Sequence, residues 1–210
     1  MIKKSFLILG VATLIFSAFT LKEVELASHE SVVTDGTYKV NAESSSVAWL
    51  GRKIAYGHNG TVDLAGGSLV FANSVLTSGS FEIDMTTIKN LDLDDAGKNK
   101  KLVGHLKSDD FFSVKKFPKA TFKITSAKKE KSEHGNYMIT GDLTIKGITH
   151  PLTFAANVEE NGGKVIADAK MTFDRAKYNV KFQSGSFFEN LGDKAIYDDI
   201  EMTIKLVAEK

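Results

Sequence analysis

The chain of 210 residues is long enough for one domain with a sizeable core, and 42% apolar with 25% charged residues is ordinary for a globular protein. A formal net charge of +1 sets up no strong field, so nucleic acid is not expected as a partner. With no cysteine, neither disulfides, nor thiolate metal sites, nor lipid attachment through a cysteine is available, and the fold has to rest on its core and its hydrogen-bond ladders.

Met1-Ile2-Lys3-Lys4 carries positive charge, and Ser5 to Leu21 carries none. That is the pattern of a secretory signal peptide over 1–20, with Ala18-Phe19-Thr20 as the cleavage segment and Leu26-Ala27-Ser28 as a weaker one. Loss of Lys3 and Lys4 turns the net charge from +1 to −1. Retention of the apolar run would instead leave a membrane anchor; without it, only transient membrane contact is expected. Residues 21–36 read as a flexible lead-in, and 37–210 as the folded domain, placed in the periplasm or outside the cell.

From Tyr38 onward the hydrophobic period is two, the mark of strands with one buried face. Candidates in chain order are Val47 with Trp49, Val62 with Leu64, Leu69 with Phe71, Phe81 with Ile83 and Met85, and Phe122 with Ile124. Longer alternations follow in Tyr137, Ile139, Leu143 and Ile145, in Leu152 to Val158, in Val165 to Phe173, and in Ile200 to Leu206. Turns are expected at Gly66-Gly67, Ser78-Gly79, Gly135-Asn136, Lys146-Gly147 and Asn161-Gly162-Gly163. Two segments break the rhythm: Asp92 to Lys116, where a short helix is expected near 96–112 with Asp109 capping a turn, and Gln183 to Asp199, an irregular loop folding over one end of the sheet. About eight antiparallel strands suit a barrel or a sandwich, and a barrel has the advantage of leaving no open edge.

Reactive constellations are sparse. The five histidines, His29, His58, His105, His134 and His150, are scattered without metal-ligand spacing. Asp92-Leu93-Asp94-Asp95 starts like a calcium loop, but Ala96 and Val103 stand where ligands belong. Ser113 and Lys116 match a serine-lysine pair by letter alone, and the acidic pairs Asp109-Asp110 and Asp198-Asp199 have no complementary group beside them in the sequence. Neither a catalytic residue, nor a metal, nor a cofactor is expected. The fourteen phenylalanines are the stronger signal. In an eight-stranded barrel they either fill a dry core or surround room for one ligand. Arg175, one of two arginines, stands at a strand end. It is either an ion-pair partner of Asp174 or a neighbouring acid, or, with Lys177 and Lys181, a contact for an anionic head group at a cavity mouth.

Several blocks resemble one family: Phe81-Glu82-Ile83-Asp84-Met85, His105 to Phe112, Phe117-Pro118 with Ala120-Thr121-Phe122, Gly141 to Ile145 with Gly147-Ile148-Thr149, and Phe173-Asp174-Arg175 before Tyr178. Through these the chain is similar to the YceI-like family of exported, lipid-binding, lipocalin-like barrels associated with polyisoprenoids and other long-chain amphiphiles. It departs from the family at Asn41-Ala42-Glu43-Ser44-Ser45 and in a short stretch from His58 to Leu69. The resemblance implies an all-β antiparallel barrel and a long-chain lipid or isoprenoid ligand. No enzymatic activity is expected, because the sequence offers no acid-base or metal constellation, and a homodimer is a compatible assembly. Cavity candidates are then Trp49, Phe71, Phe81, Ile83, Phe122, Ile139, Leu143, Phe154, Met171, Phe173, Phe182, Phe187 and Phe188, with Arg175 and Lys177 for the head group. The rival readings are an envelope stress or interaction module with a packed barrel core and, more distantly, an enzyme acting on isoprenoids.

Overall fold

A computed structural model of the chain describes residues 33–210. The expected signal peptide and most of the lead-in lie outside the described residues. Within the described part, Thr34 and Asp35 are tied down: Lys210 Nζ donates to Thr34 Oγ1 at 2.7 Å, and Asp35 accepts from the Ser74 N–H at 2.8 Å.

Nine strands and one helix follow in chain order: β1 (Gly36–Val40), β2 (Ser46–Lys53), β3 (Gly57–Ala72), β4 (Val75–Asn90), α1 (Ala96–Lys107), β5 (Lys119–Ser132), β6 (Gly135–Ile145), β7 (Ile148–Asn161), β8 (Lys164–Asp174) and β9 (Ile196–Glu209). Short 3-10 turns cover Arg175–Tyr178 and Gly192–Lys194. Every neighbouring strand pair is antiparallel, and β4 pairs with both β3 and β5, so the sheet closes on itself. β1 and β2 occupy one position between β3 and β9, which makes the barrel eight-stranded. Residues 41–45 interrupt that shared position without breaking the ladder to β9. The Asn41 N–H donates to the Val207 carbonyl at 2.8 Å, and Ser45 Oγ accepts from the Val207 N–H at 3.0 Å.

The alternation survives inside each strand but shifts at bulges. Val62 and Leu64 face inward at even positions, Leu69 and Phe71 at odd ones, because β3 carries an irregularity between Leu64 and Gly66. A bulge inserts one residue and reverses which parity faces the core. The expected turns at Gly66-Gly67 and Ser78-Gly79 are therefore corrected: both lie inside sixteen-residue strands, and the β3–β4 hairpin turns at Asn73-Ser74, each with positive φ. The β5–β6 turn is also moved, to Glu133-His134, with Gly135 already in β6. Lys146-Gly147 and Gly162-Gly163 do form two-residue turns, all four residues at positive φ, as primed hairpin turns require.

At Gly60 and Gly141 the barrel needs the missing side chain. A Cβ on Gly60 would stand 1.8 Å from the Lys89 carbonyl oxygen and 2.6 Å from the Trp49 ring; on Gly141 it would stand 2.4 Å from the Phe122 ring. Since a backbone oxygen cannot swing away as a side chain can, Gly60→Ala is expected to destabilise by about 3 kcal/mol, the upper part of the overpacking range. For a chain this size that lowers the melting temperature by roughly 6–12 °C. The emission of Trp49, the only tryptophan, reports the local change; a melt within 2 °C or so of wild type would refute the clash.

The helix begins where Asp95 caps it, its side chain accepting from the Lys98 N–H at 2.7 Å, and ends at Ser108. Asp95, not Asp109, is thus the helix cap. The irregular segment after β8 ends at Ala195, since β9 already starts at Ile196.

Candidate functional site

The two ends of the barrel differ. One carries only the tight turns of β3–β4, β5–β6 and β7–β8, and there the interior is sealed. Tyr38, Leu69, Phe71, Leu76, Tyr137, Val165 and Ala208 are all buried. Tyr38 meets Phe71 edge to face at 5.5 Å, and the Tyr137 hydroxyl accepts the Leu76 N–H at 3.2 Å. The other end carries α1, the β2–β3 hairpin and the long β8–β9 connection.

Toward that second end, inward side chains are only partly buried although nothing but the barrel interior faces them: Trp49, Phe154, Ala169, Met171, Ile200, Met202 and Ile204. They surround a cavity of about 240 Å³ with an almost wholly apolar wall. One water needs about 10–15 Å³ measured the same way, so the space is large and offers water few partners. Aromatic side chains shape it, with Phe122 between Phe81 (6.4 Å) and Phe154 (5.6 Å). Leu102 and Leu106 of α1 cover the gap above β4, whose upper half has left β5, with Phe111 and Phe112 beside them. Arg52, Lys53, Tyr56, Gly57 and His58 complete the wall at the β2–β3 hairpin. Arg52, Tyr56 and Gly57 are themselves exposed, so the cavity opens to solvent there.

Arg175 continues the inward face of β8 into the roof and is 1% exposed. Its Nη1 donates to the carbonyls of Val180 and Phe182, both at 3.0 Å, Nη2 to Ile196 at 3.1 Å, and Nε to Tyr197 at 3.2 Å. Asp198 Oδ1 lies 3.2 Å from Nη2 as an ion-pair contact, while Oδ2 accepts from the hydroxyls of Ser184 and Ser186. Burial pushes the guanidinium pKa down, and Asp198 and Asp174 oppose that. One cation thereby pins the segment 180–186 onto the start of β9. Beside it, His105 packs its ring edge-on against Phe111 (4.9 Å) and Phe182 (4.5 Å), with Nε2 3.0 Å from Asp110.

At the hairpin side, Asp92 anchors the exit of β4. His58 Nδ1 lies 2.7 Å from its Oδ2, and the Asn59 N–H donates to Oδ1 at 2.7 Å. Burial alone would raise the pKa of this carboxyl, but the bonds from His58, Asn59 and Asn90 hold it below the ordinary value. The acidic run of 92–95 is thus occupied by loop anchoring and helix capping, and the described residues contain no group of three or more potential metal ligands. Ser113 sits in a tight turn, its carbonyl accepting from the N–H groups of Lys116 and Phe117.

Of the residues singled out in the sequence, Trp49, Phe81, Ile83, Phe122, Ile139, Leu143, Phe154, Met171 and Phe173 line the cavity. Phe71 lies at the sealed end, and Phe182 in the roof against His105. Phe187 and Phe188 stand in solvent, 41% and 50% exposed, because the loop around them is anchored only through 184–186. Lys177 is exposed on the 3-10 turn, outside the cavity wall. Arg175 reaches the wall from the roof, but with its donors committed to backbone carbonyls it leaves the mouth to Lys53 and Arg52, the latter paired with Glu201. Missing from the sequence reading were Leu102, Leu106, Lys53 and Tyr56. Only the spacing of the two leucines on a short helix, four apart, could have pointed to any of them.

The sequence pattern that defines the YceI-like domain matches residues 38–208. Protein YceI of Escherichia coli is 28% identical over 214 aligned positions, which cover 99% of this chain and 100% of that protein. A UPF0312 protein of Photorhabdus laumondii is 33% identical over 123, covering 59% of this chain and 60% of its own. Among solved structures, Burkholderia cenocepacia BcnA superposes with a TM-score of 0.65 at 23% identity, over 80% of this chain and 99% of that one. A polyisoprenoid binding domain from Saccharophagus degradans, implicated in plant cell wall breakdown, superposes at 0.59 with 14% identity, over 82% and 97%. At these identities the structural likenesses speak for the barrel alone.

Proposed function

This chain belongs to the YceI-like family, and from that premise we propose that it is an exported binding protein holding one long-chain amphiphile, a polyisoprenoid or a fatty-acid-like molecule, inside its barrel, for carriage or sequestration. The observation that carries this reading is the cavity of about 240 Å³ within a closed barrel, walled by aromatic and aliphatic side chains. A packed-core module would have filled that volume, since empty apolar space forfeits contact energy throughout its lining. The polyisoprenoid-binding neighbour supports the choice of ligand class.

The driving force is desolvation. Each methylene taken from water contributes about 0.8 kcal/mol, so a chain of roughly 14 gives about 11 kcal/mol gross. Association and ordering cost about 4–15 kcal/mol, which leaves an exchangeable complex, as a carrier needs. The acyl or prenyl chain lies along Trp49, Phe154 and Met202. Its polar end stays at the β2–β3 hairpin near Lys53, where an ammonium suits a carboxylate or phosphate. Export places this chemistry in the periplasm or outside the cell; among the described residues no helix is long and apolar enough to cross a membrane.

Native mass spectrometry of the protein as the cell produces it, followed by solvent extraction, is expected to release a lipid. Titration with a conjugated-polyene fatty acid is expected to quench Trp49 saturably. A protein that yields no lipid and whose Trp49 emission ignores both the fatty acid and a prenyl alcohol would rule the carrier out.

A further inference from the structure

We propose that the open end of the barrel is a docking surface for an anionic phospholipid membrane, from which the cavity exchanges its cargo. The proposal rests on the binding-protein reading only for the purpose of docking, not for its occurrence. Among the described residues, the large apolar side chains left in water are Ile54, Tyr56, Leu91, Phe187, Phe188 and Tyr197, between 41% and 62% exposed. All six lie at the open end, five of them on three separate connections, the β2–β3 hairpin, the exit of β4 and the β8–β9 segment, and Tyr197 as the second residue of β9. The sealed end has none of them.

Positive charge accompanies this rim. Lys53 Nζ stands 5.6 Å from the Tyr56 ring centroid and Lys181 Nζ 4.7 Å from that of Phe187, so each ring carries an ammonium beside it. Helix α1 bears Lys98, Lys100, Lys101 and Lys107 and no acid at all. Lys98, Lys100 and Lys101 make no ion pair with an acid among the described residues. Three nearby carboxylates are held internally, Asp92 by His58, Asp95 by the helix cap and Asp198 by Arg175, while Asp94, Glu189, Asp193 and Asp199 stay exposed at the same end, so the positive charge is concentrated on α1 and on Lys53 and Lys181. Rings that enter the acyl boundary while lysines meet phosphates are the composition of an interfacial membrane contact. The rim also borders the mouth, where Tyr56 lines the cavity. A protein seated there would plug the cavity, but a bilayer is at once the partner and the reservoir for an apolar cargo.

The test is co-sedimentation of the full chain with vesicles of phosphatidylcholine containing a minority of phosphatidylglycerol, compared with phosphatidylcholine alone. Wild type is expected to sediment with the anionic vesicles, less so in high salt and less with the neutral ones. The double variant Phe187→Ser/Phe188→Ser is expected to lower the partition coefficient roughly tenfold. Lys98→Gln/Lys100→Gln/Lys101→Gln is expected to weaken binding to the anionic vesicles and to reduce its salt sensitivity. Unchanged melting temperatures show that both variants fold. Wild type staying in the supernatant, or both variants binding as wild type does, would overturn the proposal. Uptake of the polyene fatty acid delivered from ethanol, with no vesicle present, separates the two ideas. Vesicle binding lost with uptake intact sinks docking alone, whereas rim-dependent vesicle binding without uptake supports docking and sinks the cargo.

Discussion

Replacing Arg175 with methionine is expected to lower the melting temperature by roughly 6–20 °C, corresponding to about 3–5 kcal/mol in a chain of this size. The substitution keeps an apolar stem of similar length and removes every donor, leaving the carbonyls of Val180, Phe182, Ile196 and Tyr197 without their partner and Asp198 without its cation. Removing one member of a buried pair costs more than the pair contributed, because the other charge remains in a poorly solvated place. Arg175→Lys keeps the charge but offers a point donor in place of a planar fork, so it is expected to fall between wild type and the methionine variant. Adding Asp198→Asn to Arg175→Met is expected to recover part of the loss, since it removes the orphaned charge, and a double-mutant cycle measures how much. A methionine variant within about 1 kcal/mol of wild type, by thermal or urea unfolding, would show that water replaces the guanidinium at all four carbonyls.

Filling the cavity from its wall is the second large effect. Ala169 lies on β8, faces inward between Ala156 and Ile204 in the register, and is only partly buried. Ala169→Phe is expected to project a ring into the empty volume and to weaken uptake of the polyene fatty acid more than tenfold, with a melting temperature equal to or above that of wild type. The sign of the stability change is the diagnostic part. A large side chain forced into a close-packed core costs about 1–3 kcal/mol, but one that occupies a void gains contacts. A variant that melts clearly lower, with uptake unaffected, would mean that the site is packed and that cargo, if any, lies elsewhere. Trp49 lines the same space, one strand away across β9, and gives the optical readout for both quantities.

Much of this barrel was legible in the sequence because a strand with one buried face writes its period directly into the residues. Tyr137 to Ile145 and Val165 to Phe173 alternate without interruption, and they are strands along their whole length. The two earliest long strands were broken in the reading because bulges reversed their parity, so that Leu64 and Leu69 both face inward while the glycines between them looked like a turn. A bulge is a relation between two strands, and one strand's sequence does not state it. The candidate site divides in the same way. Nine of the apolar candidates face the cavity, since facing inward is a matter of period. Phe187 and Phe188 are equally apolar, but their segment has no period and no strand to orient it.

The fate of Arg175 shows a different limit. Its partners are four backbone carbonyls from 180–182 and 196–197, and every residue type carries a carbonyl, so no letter in the sequence distinguishes a buried staple from an exposed head-group contact. By itself the sequence determined an antiparallel, disulfide-free domain with family blocks spread from Phe81 to Tyr178, because hydrophobic period and turn chemistry are local properties of the chain. Whether its interior is filled or open, where it opens and which rings are left in water were decided only by closure of the barrel. Those are differences between the volume the strands enclose and the volume their side chains occupy, and that difference exists only once β3 has met β4.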